Sequence, residues 1–292
     1  MNLTLRVARL IPPRWASSIA ALQWKHPVLG AAYRWARKRA VDRAGIIEHG
    51  VGRGLHIDAS GANAGYLLGT TEPAIQRLFA RLVSPGDTVI DVGANIGFFT
   101  LIAARLVGPK GCVIAVEASS DNASRIRANA HANGFMHVTV RSEAAAASDG
   151  TAEFLVSADP TLGRLASISP TTNMQIGVTR VPTRALDSLF AEGVLAPPNL
   201  MKIDVEGAEV DVLEGARRLI ASARPVLLVE LHGTNAPVAA ALRDARYVAA
   251  VVGSSSDVET APWDAYVVAV PEESASLLDV VREVGVETKS AR

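Results

Sequence analysis

The chain has 292 residues, 49% of them hydrophobic, with 29 basic and 29 acidic side chains, so it can bury a full core and carries no net charge to draw it to nucleic acid. Its single cysteine, Cys112, excludes an intramolecular disulfide and suits a reducing cytoplasm. No apolar run is long enough to span a bilayer, and Arg6, Arg9, Pro12, Pro13 and Arg14 break up the start, so neither a membrane span nor a secretory leader is expected.

The charge is unevenly placed. Residues 1–43 hold nine Lys or Arg against one acid, Asp42. Two short helices are predicted there, over 17–23 and 28–43, separated at Pro27. Trp15, Trp24 and Trp35 are interleaved with the basic side chains, which suits either peripheral contact with the inner membrane face or an aromatic stripe packed on the rest of the chain. Residues 1–65 are expected to form a basic helical extension, 66–275 the catalytic domain and 276–292 a tail.

Residues 50–70, rich in glycine, read as hairpin or loop. A helix is predicted over 72–83, with Ile75, Leu78, Phe79 and Leu82 on one face. After the turn Ser84-Pro85-Gly86-Asp87, strands and helices alternate: strand 88–92, helix 96–106, strand 112–117, helix 121–132 and strand 137–141. An extra strand over 153–156 and a surface excursion over 157–178 follow. Then come a short helix (186–191), strand 200–205, helix 210–222, strand 226–231, helix 236–244, strand 247–252, a loop, and a last strand, 265–270. This alternation predicts an α/β fold: a seven-stranded, mostly parallel Rossmann-like sheet with helices on both faces and a terminal antiparallel pair.

The chemistry concentrates at predicted strand ends. The run from Thr88 to Thr100 is an apolar strand, a small-residue turn and a helix, in which Gly93 and Gly97 allow close backbone approach and Asp91 places a carboxylate at the strand's end. Its spacing, Asp-x-Gly-x-Asn-x-Gly, lacks the third glycine of the dinucleotide pattern, so it offers no pyrophosphate seat and disfavours an NAD-dependent oxidoreductase. Glu117 ends the next strand where nucleotide-binding folds place an acid against ribose hydroxyls, and Glu143-Ala144 follows where such folds approach an adenine edge. The stretch Lys202-Ile-Asp204-Val-Glu206-Gly-Ala-Glu209 repeats the strand-turn design with its acids at the ligand-binding end. Lys202 should pair with a carboxylate, and Glu209, in the first helical turn, is placed favourably for the helix dipole.

Taken in order, Asp91-Val-Gly-Ala-Asn-Ile-Gly97, Val116-Glu117, the Lys202–Glu209 stretch and Val229-Glu230-Leu-His232 resemble the FkbM family of methyltransferases. Gly69-Thr-Thr-Glu72-Pro73, Asn129, Asn133 and Leu186-Asp187-Ser-Leu189 echo it more weakly, and the likeness runs from about 66 to 271. It implies a class I methyltransferase fold, S-adenosylmethionine as methyl donor, and O-methylation of a sugar, glycolipid or natural product. The expected cofactor contacts are Asp91, Gly93, Ala94, Asn95, Gly97, Phe98, Glu117, Ala118, Glu143, Ala144 and Asp204. Ala118 departs from the proline that often follows the ribose-binding acid in this family.

Methyl transfer is an in-line displacement, so alignment of the acceptor should outweigh base strength. The catalytic candidates are Asp204, Glu206, Glu230 and His232, of which His232 needs least tuning to act as a base. These four also resemble an oxygen-and-nitrogen cation site, but no ligand spacing enforces one and no metal is expected. The acceptor is expected to be a small molecule, a sugar or a lipid-linked compound, in a pocket lined by the loops at 157–178 and 253–264, the latter carrying Trp263, and by the N-terminal helices. A binding protein that kept the fold without turnover is the remaining alternative.

Overall fold

The computed structural model describes residues 44–157, 163–166 and 175–290. The predicted basic helices and much of the 157–178 excursion lie outside the described residues.

Seven strands form the main sheet: β1 (Thr88–Val92), β2 (Cys112–Val116), β3 (Val138–Arg141), β4 (Leu200–Ile203), β5 (Val226–Glu230), β6 (Tyr247–Val251) and β7 (Tyr266–Pro271), in the order β6-β7-β5-β4-β1-β2-β3. From β5 through β3 all neighbours are parallel, and β7 is antiparallel to both β5 and β6. The central strands are buried on both faces and apolar except for Asp91 on β1 and Lys202 on β4, as burial under two helical layers favours. The order reverses between β1 and β4, and at such a switch point the loops leaving the carboxyl ends diverge and open a crevice.

One face is covered by α1 (Pro73–Leu82) and α2 (Phe98–Val107), whose Leu78, Phe79, Leu101 and Ile102 are fully buried. Helix α3 (Ser120–Ala132) follows β2 and is capped by the Ser119 hydroxyl. The other face is covered by α4 (Leu186–Ala191), α5 (Glu209–Glu214), α6 (Arg217–Ala223) and α7 (Asn235–Asp244), through Leu186, Val212, Leu219 and Val238. Cys112 is half-buried against this second layer.

Two expectations change. The single helix predicted over 210–222 is two, α5 and α6, broken around Gly215, where a Cβ would overlap the Ala146 carbonyl; the loop after β3 packs into the break. The surface excursion runs into a long strand, Gln175–Arg184, paired antiparallel with Gly150–Ser157 in a second sheet. Helix α8 (Leu278–Ser290) lies against α1 and buries Leu278, Val281 and Val284 in the same cluster as Phe79. The antiparallel pair Ala44–Ile46 and His56–Asp58 is held to α3 by Asn129 Oδ1, which accepts from Asp58 N at 2.7 Å, and Asn133 Oδ1, which accepts from His56 N at 2.8 Å.

Candidate active site

The loops leaving β1, β2, β4 and β5 enclose one crevice, lined by Gly93, Asn95, Glu117, Ala118, Glu143, Ala144, Asp204, Glu206 and Glu230, with Glu72 from the start of α1. Gly93 has φ of 76°, and a Cβ there would overlap the Asp204 carbonyl oxygen. The glycine is therefore needed where the two loops touch each other, as well as lining the crevice. Next to it Asn95 is left-handed at φ 53°, as are Glu72 and Glu206, so three strained non-glycine residues line the same crevice.

Glu117 is 7% exposed and accepts two backbone hydrogen bonds at 2.8 Å, from Asn95 N at Oε2 and from Ser119 N at Oε1. Burial outweighs these bonds and pushes its carboxyl up to about 7. Each oxygen still has a lone pair to offer. Asn95 Oδ1 is buried with no hydrogen-bond partner among the described residues, an acceptor waiting for a donor.

Not every residue expected at the cofactor lines this crevice. Asp91 lies beneath the crevice floor, buried, with Oδ2 accepting from the Thr100 hydroxyl at 2.6 Å. It is the register partner of Lys202 on β4, and burial raises its carboxyl despite that neighbouring ammonium. Ala94 is buried in the turn. Gly97 caps α2, where a Cβ would press on Ile126. Phe98 is a core residue, edge-on to Tyr66 and Phe99. Glu143 lines the crevice but is gripped by Arg141 through two hydrogen bonds, at 2.8 and 3.1 Å.

The ends of β4 and β5 carry a dense charge network. Lys202, almost fully buried, donates to Asp204 Oδ2 at 2.8 Å and lies 5.1 Å from the Phe99 ring centroid. Burial alone would lower its ammonium, but Asp204, Asp91 and Glu72 raise it instead. Burial likewise raises Asp204, yet Lys202 holds that carboxyl below its ordinary value. Glu230 is pushed up to about 8 by burial and by the charges of Asp204 and Glu72.

His232 differs from expectation. Its Nδ1 sits 2.9 Å from Glu209 Oε1, while Nε2 faces Glu206 at 3.8 Å and Glu230 at 4.0 Å. Burial would pull the imidazole down, but Glu209 and Glu206 push it up to about 9. Asp204, Glu230 and His232 offer ligand atoms within 4.8 Å of one another, so these three could hold a metal ion, and the ammonium of Lys202 lies against Asp204 at that place.

Sequence reasoning missed three residues of this network. Glu209 is fully buried and also accepts from Gly207 N at 2.9 Å and the Thr234 hydroxyl at 2.8 Å, so it orients the histidine in addition to its favourable place at a helix start. Glu72 is set by the left-handed turn before Pro73, and its Oε2 is buried without a hydrogen-bond partner among the described residues. Tyr266, on the antiparallel strand β7, reaches Asp204 Oδ2 at 3.5 Å. A Glu-Pro pair opening a helix was the available signal for Glu72; nothing marked Tyr266.

A sheet of this order, with its switch-point crevice and acid-ended strands, defines a class I methyltransferase. The chain matches the Methyltransferase FkbM domain over residues 91–249 and belongs to the FkbM methyltransferase family. It is 39% identical over 83 residues to the arsenite methyltransferase of Halobacterium salinarum, which is 28% of this chain and 20% of that protein. It is 27% identical over 161 residues to the hexuronic acid methyltransferase AglP of Haloferax volcanii, 55% of this chain and 62% of that one. Among solved structures, the FkbM methyltransferase of Methylobacillus flagellatus KT aligns with a TM-score of 0.44 at 18% identity, covering 70% of this chain and 53% of that one. The matches thus span less than two thirds of these relatives' own lengths.

Proposed function

We propose that the chain transfers a methyl group from S-adenosylmethionine to a hydroxyl oxygen of a sugar, glycolipid or related natural product. The observation that carries this reading is Glu117, whose carboxylate is oriented by two backbone N–H groups while its remaining lone pairs face a crevice floored by small residues. The residues fit an adenosyl sulfonium. Glu117 would take the ribose hydroxyls, the orphaned Asn95 Oδ1 would take the methionine ammonium, and Ala118 and Ala144 leave room for the base.

When bound, S-adenosylmethionine supplies an electrophilic methyl group. The chain's own task is to place the acceptor oxygen in line with it, exclude water and remove a proton. Orientation supplies about 7–11 kcal/mol of such barriers, against a factor of roughly 10²–10⁴ from a base. Glu230 is the best placed base: it lines the crevice, and a carboxyl held up to about 8 stands near the pH at which it must work. Tyr266 meets Asp204, while Glu209 fixes His232, whose other ring nitrogen faces Glu206 and Glu230, so the histidine is a positioning group for those carboxyls.

Calorimetry with S-adenosylmethionine and with NAD, followed by acceptor-dependent release of S-adenosylhomocysteine, tests the reading. Binding of the sulfonium alone, and a new O-methyl signal by NMR, are expected. Binding of NAD instead, or methylation on nitrogen, would overturn it.

A further inference from the structure

An acceptor that approaches over the ends of β4 and β5 meets carboxyl groups first. The side chains of Asp204, Glu206 and Glu230 are 18–23% exposed, whereas the basic groups behind them, Lys202 and His232, are 2% and 6% exposed. An acceptor therefore meets carboxyl oxygens, and an anionic one would bring its charge to the outer side of Asp204 and Glu206, with Lys202 and His232 shielded behind them.

Beside these acids stands a fixed, exposed indole. Trp263 is 62% exposed, and its ring meets His232 edge-on at 5.3 Å between centroids. A lone exposed aromatic is ordinary, but this one is held in place. Gly233 N donates to the Trp263 carbonyl at 3.1 Å, and a Cβ on Gly233 would lie 2.7 Å from the indole Nε1. Asn235 Nδ2 donates to Val258 O and Ala261 O, clasping the loop that presents the ring. A preorganised apolar plate next to hydrogen-bond acceptors matches the two chemical faces of a pyranose, its C–H face and its hydroxyl edge.

We propose that the acceptor is a non-anionic sugar whose C–H face lies on Trp263 and whose hydroxyls turn toward Glu206 and Glu230, and that uronates and phosphorylated sugars are refused. This goes beyond sugar O-methylation and rests on that reading for the identity of the reaction, though not for the binding of the ring. It separates this chain from its relative named for hexuronic acid.

The test titrates the full chain, with S-adenosylhomocysteine present, with neutral methyl hexosides and the matching methyl uronosides, reading tryptophan fluorescence and subtracting the response of Trp263→Phe. A saturable change with neutral glycosides and none with uronosides is expected. In turnover, Trp263→Ala should raise KM about tenfold, or roughly 1.4 kcal/mol, with kcat little changed, and Trp263→Phe should restore most of the loss. Glu206→Gln should narrow the preference for neutral over uronate acceptors. A wild-type preference for uronosides, or an unchanged KM in Trp263→Ala, would overturn the proposal. Sugar binding at Trp263 without S-adenosylmethionine binding would instead reject the methyl-transfer reading and leave the sugar site standing.

Discussion

Glu230 and Glu117 show how far a strand-end acid can be moved by its surroundings. A base with its carboxyl at about 8 must lose its proton to act, so turnover should rise as pH climbs through about 8, and Glu230→Gln should lower kcat by roughly 10²-fold or more and flatten that profile. Glu117→Ala leaves the N–H groups of Asn95 and Ser119 unpaired, at about 1–3 kcal/mol each, and should depress both thermal stability and S-adenosylmethionine affinity. Glu117→Gln keeps an acceptor oxygen and should spare stability while weakening the cofactor. Calorimetry and melting of the two variants separate these roles. Both glutamates, with Asp204 and Glu206, were readable as neighbours in one crevice because an acid at the carboxyl end of a predicted parallel strand has only one place to point. The surroundings of His232 were not readable. Glu209 and Glu206 meet it from a different loop, a convergence made by tertiary packing.

At the level of elements, the β1-to-α2 turn and the β4-to-α5 turn form one body. Gly93→Ala forces a side chain into a left-handed position, costing about 1–3 kcal/mol, and drives its Cβ into the Asp204 carbonyl. A large fall in the urea midpoint, with loss of cofactor binding in whatever folds, is expected. The main strands were legible because fully buried parallel strands are short apolar runs between turns. The strand Gln175–Arg184 was hidden because it pairs outside the regular alternation, with Gly150–Ser157, in a polar stretch with no helix to mark it. The break between α5 and α6 was hidden too, since only the approach of Ala146 shows that Gly215 interrupts a helical pattern.

Across the whole molecule, the segment from 276 onward is structural. Leu278→Ala should cost about 2–5 kcal/mol, and a chain ending at 277 should expose Phe79 and Val270 and lose its cooperative melt, as calorimetric scanning would show. The signal was the three-residue spacing of Leu278, Val281 and Val284, which seats α8 on α1, β6 and β7. The ionisable groups also set a global pH response. Glu117, Glu230 and His232 are all raised, so the folded chain binds more protons than the unfolded chain between their ordinary values and about 7, 8 and 9. Stability is full below the ordinary values, 4.5 for the glutamates and 6.5 for the histidine, and is lost as pH rises through the folded ones. The melting temperature should fall from pH 5 to 9, and His232→Gln should flatten the part above 6.5.

The contact between Gly93 and the Asp204 carbonyl bears on how such enzymes can be recombined. A chimera that imports its donor-side turn from one homologue and its acceptor-side turn from another inherits two backbones shaped against different neighbours. Grafts that move both turns together should stay active, and grafts that split them should not.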